Sequence, residues 1–559
     1  MRLALRYEQG GDWQKNDRTG QTRGGKDLLI GRLLTHWTAS DNLEFLLNVN
    51  GWRDRSDTLA GQLLQVRGTS PPLPAGLKSH VLGVRNNRRA DWSGDQPFVR
   101  DAHYYQLALQ ATYRLTDVTI TSIFSWQHLS RNDSADSDGT EFELLEAQTP
   151  GSISIWSQEL RAKFERGSIT WMVGGNYQQE RMRDELQLSI ADSSFPFDAI
   201  HTKTAHRNRN WAVFTNAEAA LTGRLSLEGG ARLTDERRRF SGCSYDGGDG
   251  SLAAYVGRVA TVLSGMPVTI PPGGCVSLSD HLVPVVTHTQ LIDRNWSWRA
   301  GLKWTVRPSV MIYANVSKGH KSAAFPTVAG TVASQFAPAK PESVVSFEVG
   351  SKATIFDGRL RISAAGFHYD YRDKQIRGKT VDPNIGPVGA LVNIPRSQIW
   401  GAEVSIDAEP LRGVDLKGGL SLASTSIDGP FFAYDAYGRL RDVGGDQFPL
   451  TPRWQLFGDF GYRWALGEGG TEAFAGASIK YQTMTNADLG EIDALELDAY
   501  ALIDLRAGVQ LNERWMIQAY LTNLANQKYA TFTSTVSPDV NVRFTGPPRT
   551  LGLRASYRL

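Results

Sequence analysis

The amino-acid sequence predicts an all-β fold, a transmembrane antiparallel up-and-down β-barrel of roughly 20 strands. Short polar turns, such as 115–117 and 166–168, take every second connection along the chain. Long loops rich in Gly, Pro, Ser and Asp, such as 54–100 and 240–290, take the others. Tight turns on one rim and large loops on the other are typical of a barrel that crosses a membrane.

Chain length and composition favour one large hollow unit. The 559 residues exceed the size at which a single packed core keeps growing, and no linker composition divides them. We therefore expect one barrel domain over residues 1–559. Mean hydropathy is −0.32, and no apolar run is long enough for a membrane helix, but barrel strands carry their lipid-facing side chains only at alternate positions. The formal net charge of +2 gives no reason to expect a nucleic-acid partner.

The predicted strands each show one apolar and one polar face. In the final segment the odd positions from 551 to 559 are apolar or aromatic, whereas Arg554 and Arg558 lie on the other face. Segment 501–511 alternates in the same way, and period two with one polar face indicates a half-buried strand. Many predicted strands exceed ten residues, whereas soluble strands usually have about five or six. The 15 Trp, 18 Tyr and 22 Phe fit the aromatic girdles of outer-membrane barrels.

Twenty segments are predicted to be strands. If the turns at 38–42 and 115–117 face the periplasm, the first strand runs outward, the last runs inward, and both ends lie on the periplasmic side. The predicted strands start near residues 1, 27, 42, 100, 117, 153, 168, 206, 224, 290, 308, 341, 359, 390, 414, 450, 470, 497, 513 and 547.

Several segments resemble the C-terminal β-barrel of TonB-dependent outer-membrane receptors. Each segment alone is weak, but they occur in the order that the family shows and cover most of 300–559. The resemblance implies a barrel in the outer membrane of a Gram-negative bacterium, and TonB-driven uptake of a scarce ligand, most often a ferric siderophore. The segments that carry it are Tyr313–Ser322, Pro341–Lys352, Gly358–Asp373, Trp400–Val404, Leu521–Tyr529 and Pro547–Leu553.

The sequence departs from the family pattern in three respects. Family barrels have about 22 strands and a plug domain in the lumen, whereas about 20 strands are predicted here. No plug, TonB box or signal peptide precedes Met1, so we expect an N-terminally truncated receptor, and the TonB complex would act through a plug that this chain lacks. The terminal residue is Leu559, where the family usually has an aromatic residue, and Tyr557 lies one lipid-facing position earlier.

The two cysteines and the scattered histidines are the candidate site residues. Cys243 and Cys275 lie in one predicted long loop, where a disulfide fits an oxidising compartment and two free thiols are the alternative. His201 with His206, and His281 with His288, lack the spacing of a zinc motif, so no metal site is expected.

Other motifs also have simpler structural interpretations. Segment 134–145 imitates a calcium loop, but Ser134 and Leu145 occupy its first and last ligand positions, so an acidic loop is expected. Segment 246–250 is predicted to be a turn. Polar residues on inward strand faces either contact a plug or solvate the barrel wall. They are Arg506 with Asp504, Arg554 with Arg558, and Glu403 with Asp407.

Three classes of function follow from this sequence. Active import of a ferric siderophore is the first, with ligand recognition in extracellular loops whose binding residues the sequence does not identify. A passive porin-like channel or a non-functional receptor fragment is the alternative, because a wide barrel without a plug leaves an aqueous lumen. An outer-membrane enzyme has the least support, since no convergent acid–base set, catalytic residue or cofactor motif is present.

Overall fold

Twenty long antiparallel strands form the barrel in the computed structural model. The structure describes residues 1–67, 73, 75–78, 86–94, 98–383, 386–467, 470–512, 514–537 and 540–558. The strands are β1 Arg2–Gly10, β2 Lys26–Ser40, β3 Leu43–Asp54, β4 Arg100–Arg114, β5 Val118–Asp136, β6 Glu146–Arg166, β7 Ile169–Ser189, β8 Ala199–Ala220, β9 Leu225–Asp246, β10 Thr287–Arg307, β11 Val310–Lys321, β12 Glu342–Ile355, β13 Leu360–Asp382, β14 Gly386–Ala408, β15 Val414–Ile427, β16 Trp454–Ala465, β17 Glu472–Gln482, β18 Tyr500–Leu511, β19 Trp515–Thr522 and β20 Thr550–Tyr557.

Each barrel strand pairs with the next one along the chain, from β1 to β20. This is the up-and-down order that the sequence predicts. The predicted fold class is confirmed, and each predicted strand start lies within seven residues of the observed one. The largest differences are at β6 and β8, which start at Glu146 and Ala199 rather than near 153 and 206. Leu559, the unusual terminal residue, lies outside the described residues.

Connection lengths differ between the two rims, as predicted. Every second connection is a turn of a few residues, such as 41–42 and 167–168. At this short-turn rim β1 begins and β20 ends. Longer loops occupy the opposite rim, among them 55–99, 247–286 and 523–549. Several segments predicted to be long loops are instead strand extensions, because β5, β7 and β9 continue to Asp136, Ser189 and Asp246.

The outward face of the barrel is an apolar band with aromatic residues at both edges. Near the short turns the exposed outward-facing aromatics are Trp37, Tyr113, Trp171, Trp304, Trp464, Trp515 and Tyr557. Farther along the strands a second ring contains Trp126, Trp156, Trp211, Trp296, Trp400 and Trp454. Two such rings are the aromatic girdles of a membrane barrel. Among the described residues, neither α-helix is long and apolar enough to cross a membrane.

Loops of the long rim pack together above the lumen. Short strands within them are Gln14–Asn16, Thr22–Arg23, Gln62–Val66, Arg89–Ala90, Phe432–Tyr434, Leu440–Asp442, Thr485–Asn486, Glu496–Leu497, Ala530–Ser537 and Val540–Thr545. Their helices are Ala75–Lys78 and Ser251–Ser264, with 3-10 turns at Ala333–Phe336 and Asp493–Leu495. The three largest apolar clusters of buried residues hold these loops, so the hydrophobic core of this fold lies in the loop layer above the barrel. We call this layer the loop canopy.

Candidate functional site: a vestibule under the loop canopy

Loops from distant parts of the chain meet at the centre of the loop canopy. The strand Val540–Thr545 pairs with both Ala530–Ser537 and Gln62–Val66, which joins the last long loop to an early one. Asn541 is fully buried, and its side-chain amide donates hydrogen bonds to Gln65 Oε1 at 3.0 Å and to the Tyr437 hydroxyl at 2.9 Å. The canopy is therefore a connected layer that covers part of the barrel mouth.

A cavity of about 440 Å³ lies beneath this layer. We call it the vestibule. Strand extensions and loops from all around the barrel line it, so no single segment of sequence defines it. The lining side chains that can bind a ligand through charge, hydrogen bonds or ring contacts are Ser137, Phe195, Phe197, Thr327, Arg377, Lys379, Tyr437, Phe532, Ser534, Thr535 and Phe544.

Two cationic side chains enter the vestibule from β13. Arg377 and Lys379 are two positions apart on one strand, so both point to the same side of the sheet. Arg377 is exposed and Lys379 is half-buried. No carboxylate among the described residues lies within 4.0 Å of either cation. Burial lowers the pKa of the Lys379 ammonium, and the carboxylate of Asp488 acts in the opposite direction. The two side chains can therefore bind an anionic group of a ligand.

Aromatic rings form the other walls of the vestibule. The rings of Phe195 and Phe197 stack with centroids 5.5 Å apart, and those of Phe532 and Phe544 lie 6.3 Å apart. The Arg67 guanidinium lies over the face of the Tyr437 ring, 3.6 Å from the ring centroid. Apolar walls with a few charged groups are the usual composition of a small-molecule site. The vestibule can therefore bind an anionic ligand that has flat or apolar parts.

Polar side chains also face the lumen below the vestibule. Arg506 donates two hydrogen bonds to Asp459, at 2.7 and 2.8 Å, in a bidentate ion pair. Lys303 lies between two carboxylates, at 3.1 Å from Glu218 and 3.2 Å from Glu228. Cross-strand ion pairs of this kind give these lumen-facing charged side chains partners within the barrel wall.

Four of the residues predicted to project inward share the lumen face. Register places Asp504, Arg506, Glu403 and Asp407 on the lumen face together with Asp459. Arg506 nevertheless binds Asp459 rather than Asp504, because Asp504 accepts the backbone N–H of Asn523 at 2.8 Å.

Arg554 faces the lumen on β20, where its guanidinium lies 6.0 Å from the centroid of the Tyr520 ring. Arg558 follows the end of β20, and its backbone N–H donates to the Arg514 carbonyl at the short-turn rim. Arg558 thus lies just beyond the last strand residue, and its inward orientation stays a prediction.

The structure brings Cys243 and Cys275 together, with Cα atoms 6.1 Å apart and the sulfurs joined. This separation lies within the range that a disulfide spans. The expectation that both cysteines lie in one loop was wrong: Cys243 belongs to the extension of β9, and only Cys275 lies in loop 247–286. Formation of this disulfide in the cell stays a prediction.

Of the four candidate histidines, His281 alone lies in a long loop, 247–286. His201 and His206 are on β8, and His288 is on β10. The His206 ring packs against Phe240 with centroids 5.0 Å apart, and burial lowers its pKa to about 4. In the described part of the chain, no group of three or more His, Cys, Asp or Glu side chains could hold a metal ion.

The calcium-like segment is a hydrogen-bonded turn. Asp136 and Asp138 are fully buried, and Asp138 accepts hydrogen bonds from Thr140 and from the Leu145 backbone N–H. Asp246 plays a similar part in segment 246–250, where its carboxylate accepts four backbone N–H groups.

A protein-family model described as TonB dependent receptor-like, beta-barrel, matches residues 10–524. This chain is a member of that family. Family members are outer-membrane proteins of Gram-negative bacteria. The fold and the family membership were thus correctly predicted from the sequence.

Known members of the TonB-dependent receptor family align with this chain at low identity. The metal-pseudopaline receptor CntO of Pseudomonas aeruginosa is 26% identical over 247 residues, which are 44% of this chain and 31% of that receptor. The aligned region is thus less than a third of the receptor's length. The ferric yersiniabactin uptake receptor FyuA of Yersinia pestis is 15% identical, with a TM-score of 0.75 over 99% of this chain and 74% of FyuA. The ferric-catecholate import receptor Fiu of Escherichia coli is 16% identical, with a TM-score of 0.70 over 100% of this chain and 77% of Fiu. Structural similarity at such low sequence identity shows that these proteins share the fold of this chain.

Sequence reasoning missed the residues that line the vestibule. The local sequence signal is that polar residues recur at every second position through Gln375, Arg377 and Lys379. The aromatic walls come from four separate segments, and no sequence period relates them.

Proposed function

We propose that this chain forms the barrel of an outer-membrane uptake receptor that captures an anionic metal chelate, a ferric siderophore, in the vestibule. The observation that carries the proposal is the pair of Arg377 and Lys379, which face a partly apolar cavity under the loop canopy without a carboxylate within 4.0 Å among the described residues. The whole chain, residues 1–559, is proposed to act as one barrel domain.

Charge and shape both support a chelate as the ligand. Ferric complexes of catecholate or carboxylate siderophores are anionic, and a half-buried cation interacts with such an anion more strongly than an exposed one. The aromatic pairs Phe195–Phe197 and Phe532–Phe544 offer flat apolar surfaces to the ligand. A volume of about 440 Å³ lies within the usual range of small-molecule sites. The solved family members named above bind ferric yersiniabactin and ferric catecholates, as their names state.

The import step is proposed to follow the family. The loops would capture the ligand at the cell surface, and the TonB complex would drive its release into the periplasm through a plug domain. The barrel would supply binding and a sealed wall and would carry out no covalent chemistry. This function needs the outer membrane as its location and membrane lipid as its surroundings.

Binding of defined chelates to the purified barrel tests the proposal. We expect a ferric tris-catecholate to quench tryptophan fluorescence in detergent solution, and the double variant Arg377→Gln with Lys379→Gln to bind at least about tenfold more weakly, since each charge-assisted contact contributes about 1.5–3 kcal/mol. The matched control is Arg396→Gln, an exposed arginine on the neighbouring strand β14. Equal affinity in the double variant would show that the vestibule does not bind the chelate.

A porin-like channel is the second candidate, because charged side chains such as Arg506 and Asp459 line the lumen. Liposome conductance separates the two functions. A steady large conductance that ferric chelates do not change would favour the channel.

A further inference from the structure

The wall of the vestibule carries few charges. Among the described residues that line it, Arg377 and Lys379 are charged and the others are not. The rest of the lining is apolar, aromatic or polar but uncharged, with Ile190, Phe197 and Ser534 as examples. The electric field that a ligand meets therefore depends on these two cations and on carboxylates close behind the wall.

One carboxylate lies behind the wall, on the loop between β17 and β18. Leu489 of this loop is buried, and a Cβ placed on Gly378 would lie 3.5 Å from Leu489 Cδ1. Gly378 separates Arg377 from Lys379 in the sequence and faces the opposite side of β13. The packing of Leu489 against β13 thus places its neighbour, Asp488, near the two cations.

The Asp488 carboxylate acts on the two cations through space. It lies more than 4.0 Å from both of them. Its Oδ1 accepts the Leu489 backbone N–H at 2.9 Å, which holds the half-buried carboxylate in place. Burial raises the pKa of Asp488, whereas the positive charges of Lys379 and Arg377 lower it. Opposite charges nearby favour the ionised form of a carboxyl group.

The charged groups around the cavity sum to one net positive charge. Arg377 and Lys379 supply two positive charges, and Asp488 supplies one negative charge. Asp435 also acts on Asp488, but it is paired with Arg439 at 2.9 Å, so that these two add nothing to the sum. The vestibule is therefore weakly cationic in the described part of the chain.

A weakly cationic cavity prefers an anion of low charge. The attraction of a ligand to fixed charges grows in proportion to the charge of the ligand. The cost of removing the ligand from water grows with the square of that charge, as Born solvation requires. One net positive charge therefore favours one negative charge on the ligand over three. The volume of about 440 Å³ is toward the lower end of the range for ligand cavities, which favours a compact ligand.

We propose that the vestibule prefers a compact metal chelate with one net negative charge and aromatic chelating groups, and that Asp488 sets this charge preference. The pairs Phe195–Phe197 and Phe532–Phe544 offer flat surfaces to the rings of the chelate. Asp488 is not part of the lining, so it acts by weakening the field of the two cations. This inference rests on the proposed function, because it assigns the charge of the chelate that the same cavity captures.

Ferric complexes that match in shape and differ in charge test the proposal. Hydroxypyridinone and catechol rings are similar in size, and each hydroxypyridinone that replaces a catechol removes one negative charge. Tripodal ligands built from these rings give complexes with no net charge, one negative charge or three. Tryptophan fluorescence of the purified full chain in detergent reports binding. We expect the wild type to bind the singly charged complex at least about tenfold more tightly than either of the other two.

The variant Asp488→Asn tests the residue that sets the preference. It keeps the size of the side chain and an acceptor for the Leu489 N–H, but it adds one net positive charge. We expect the affinity for the triply charged complex, relative to the singly charged one, to rise at least about tenfold. The matched control, Asp493→Asn, removes an exposed carboxylate of the same loop and should leave this ratio unchanged. A purely structural role of Asp488 would change all three affinities by a common factor.

Two results would overturn the proposal: wild-type affinity that does not peak at the singly charged complex, or an unchanged ratio in Asp488→Asn. Folding of the variant is checked by its heat-dependent migration in gels, and if it does not fold, the wild-type order of the three affinities decides. Failure of the proposed function gives a different result. In that case none of the complexes binds, or the double variant Arg377→Gln with Lys379→Gln binds them as the wild type does.

Discussion

Asp138 is expected to make the stability of the loop between β5 and β6 depend on pH. The carboxylate is fully buried, where Oδ1 accepts the Thr140 backbone N–H at 2.9 Å and Oδ2 accepts that of Leu145 at 2.8 Å. Burial raises the pKa of Asp138 to about 7; the hydrogen bonds from Thr140 and Leu145 oppose this shift, and the nearby charge of Glu146 adds to it.

The sign of this pH dependence follows from the linkage between protonation and folding. Because the folded pKa lies above the ordinary value of 3.8, the folded loop holds a proton that the opened loop releases. The stabilisation is complete below about pH 4 and is lost as pH rises through about 7. At pH 8 the carboxyl is ionised in both the folded and the opened loop. From the folded pKa of about 7 down to pH 5, only the folded loop takes up the proton, so its stability rises over roughly two pH units. At about 1.4 kcal/mol per unit this gives about 3 kcal/mol.

Hydrogen exchange measures this local free energy. We expect the Leu145 amide, corrected for its intrinsic exchange rate, to be about 3 kcal/mol better protected at pH 5 than at pH 8. Burial also raises the pKa of Asp136, so the variant Asp138→Asn should lose about one proton of pH dependence and keep the part due to Asp136. Amides in the middle of β5 serve as the internal control. Protection that rises from pH 5 to pH 8, or an unchanged slope in the variant, would refute the reasoning.

Three further predictions concern the cross-link, the lumen wall and the loop canopy. Replacing Cys243 and Cys275 by Ser should destabilise the 32-residue loop segment by about 2–4 kcal/mol, seen as faster trypsin cleavage that reductant no longer changes. Arg506→Gln should lower barrel stability in urea by about 2–3 kcal/mol because it leaves Asp459 unpaired, and adding Asp459→Asn should recover part of the loss. Leu144→Ala should cost about 2–5 kcal/mol of local stability, since Leu144 is fully buried in a canopy cluster, and should increase proteolysis there without changing the barrel.

Strands of the barrel could be predicted because the membrane imposes a period on them. On β18, Ile503, Leu505 and Ala507 alternate with the lumen-facing Asp504 and Arg506, and that contrast is visible in the sequence. Above the membrane both faces contact water or loops, so the contrast disappears while the hydrogen bonds continue. The predicted start of β8 near 206 therefore missed the residues from Ala199 onward.

The vestibule could not be predicted for a related reason. Arg377 and Lys379 lie on a strand extension of this hidden kind, and Phe195, Tyr437 and Phe532 reach the cavity from loops far apart in sequence. Their convergence depends on long-range contacts such as that between Asn541 and Gln65, separated by 476 residues. Local pattern carries no information about such contacts. Disulfide pairing was easier to anticipate, because only two cysteines are present.

The length of the barrel strands determines where this protein presents positive charge above the outer aromatic girdle. Because β7, β8, β9 and β13 continue beyond the outer aromatic girdle, the same sheet that spans the membrane also carries side chains above it on both faces. Inward positions such as Arg377 and Lys379 then face a cavity under the canopy, and outward positions such as Arg207 and Arg239 lie on the outer surface of the barrel. A barrel whose strands ended at the girdle would offer neither surface. Strand length beyond the membrane, rather than loop sequence alone, thus determines where this protein presents positive charge.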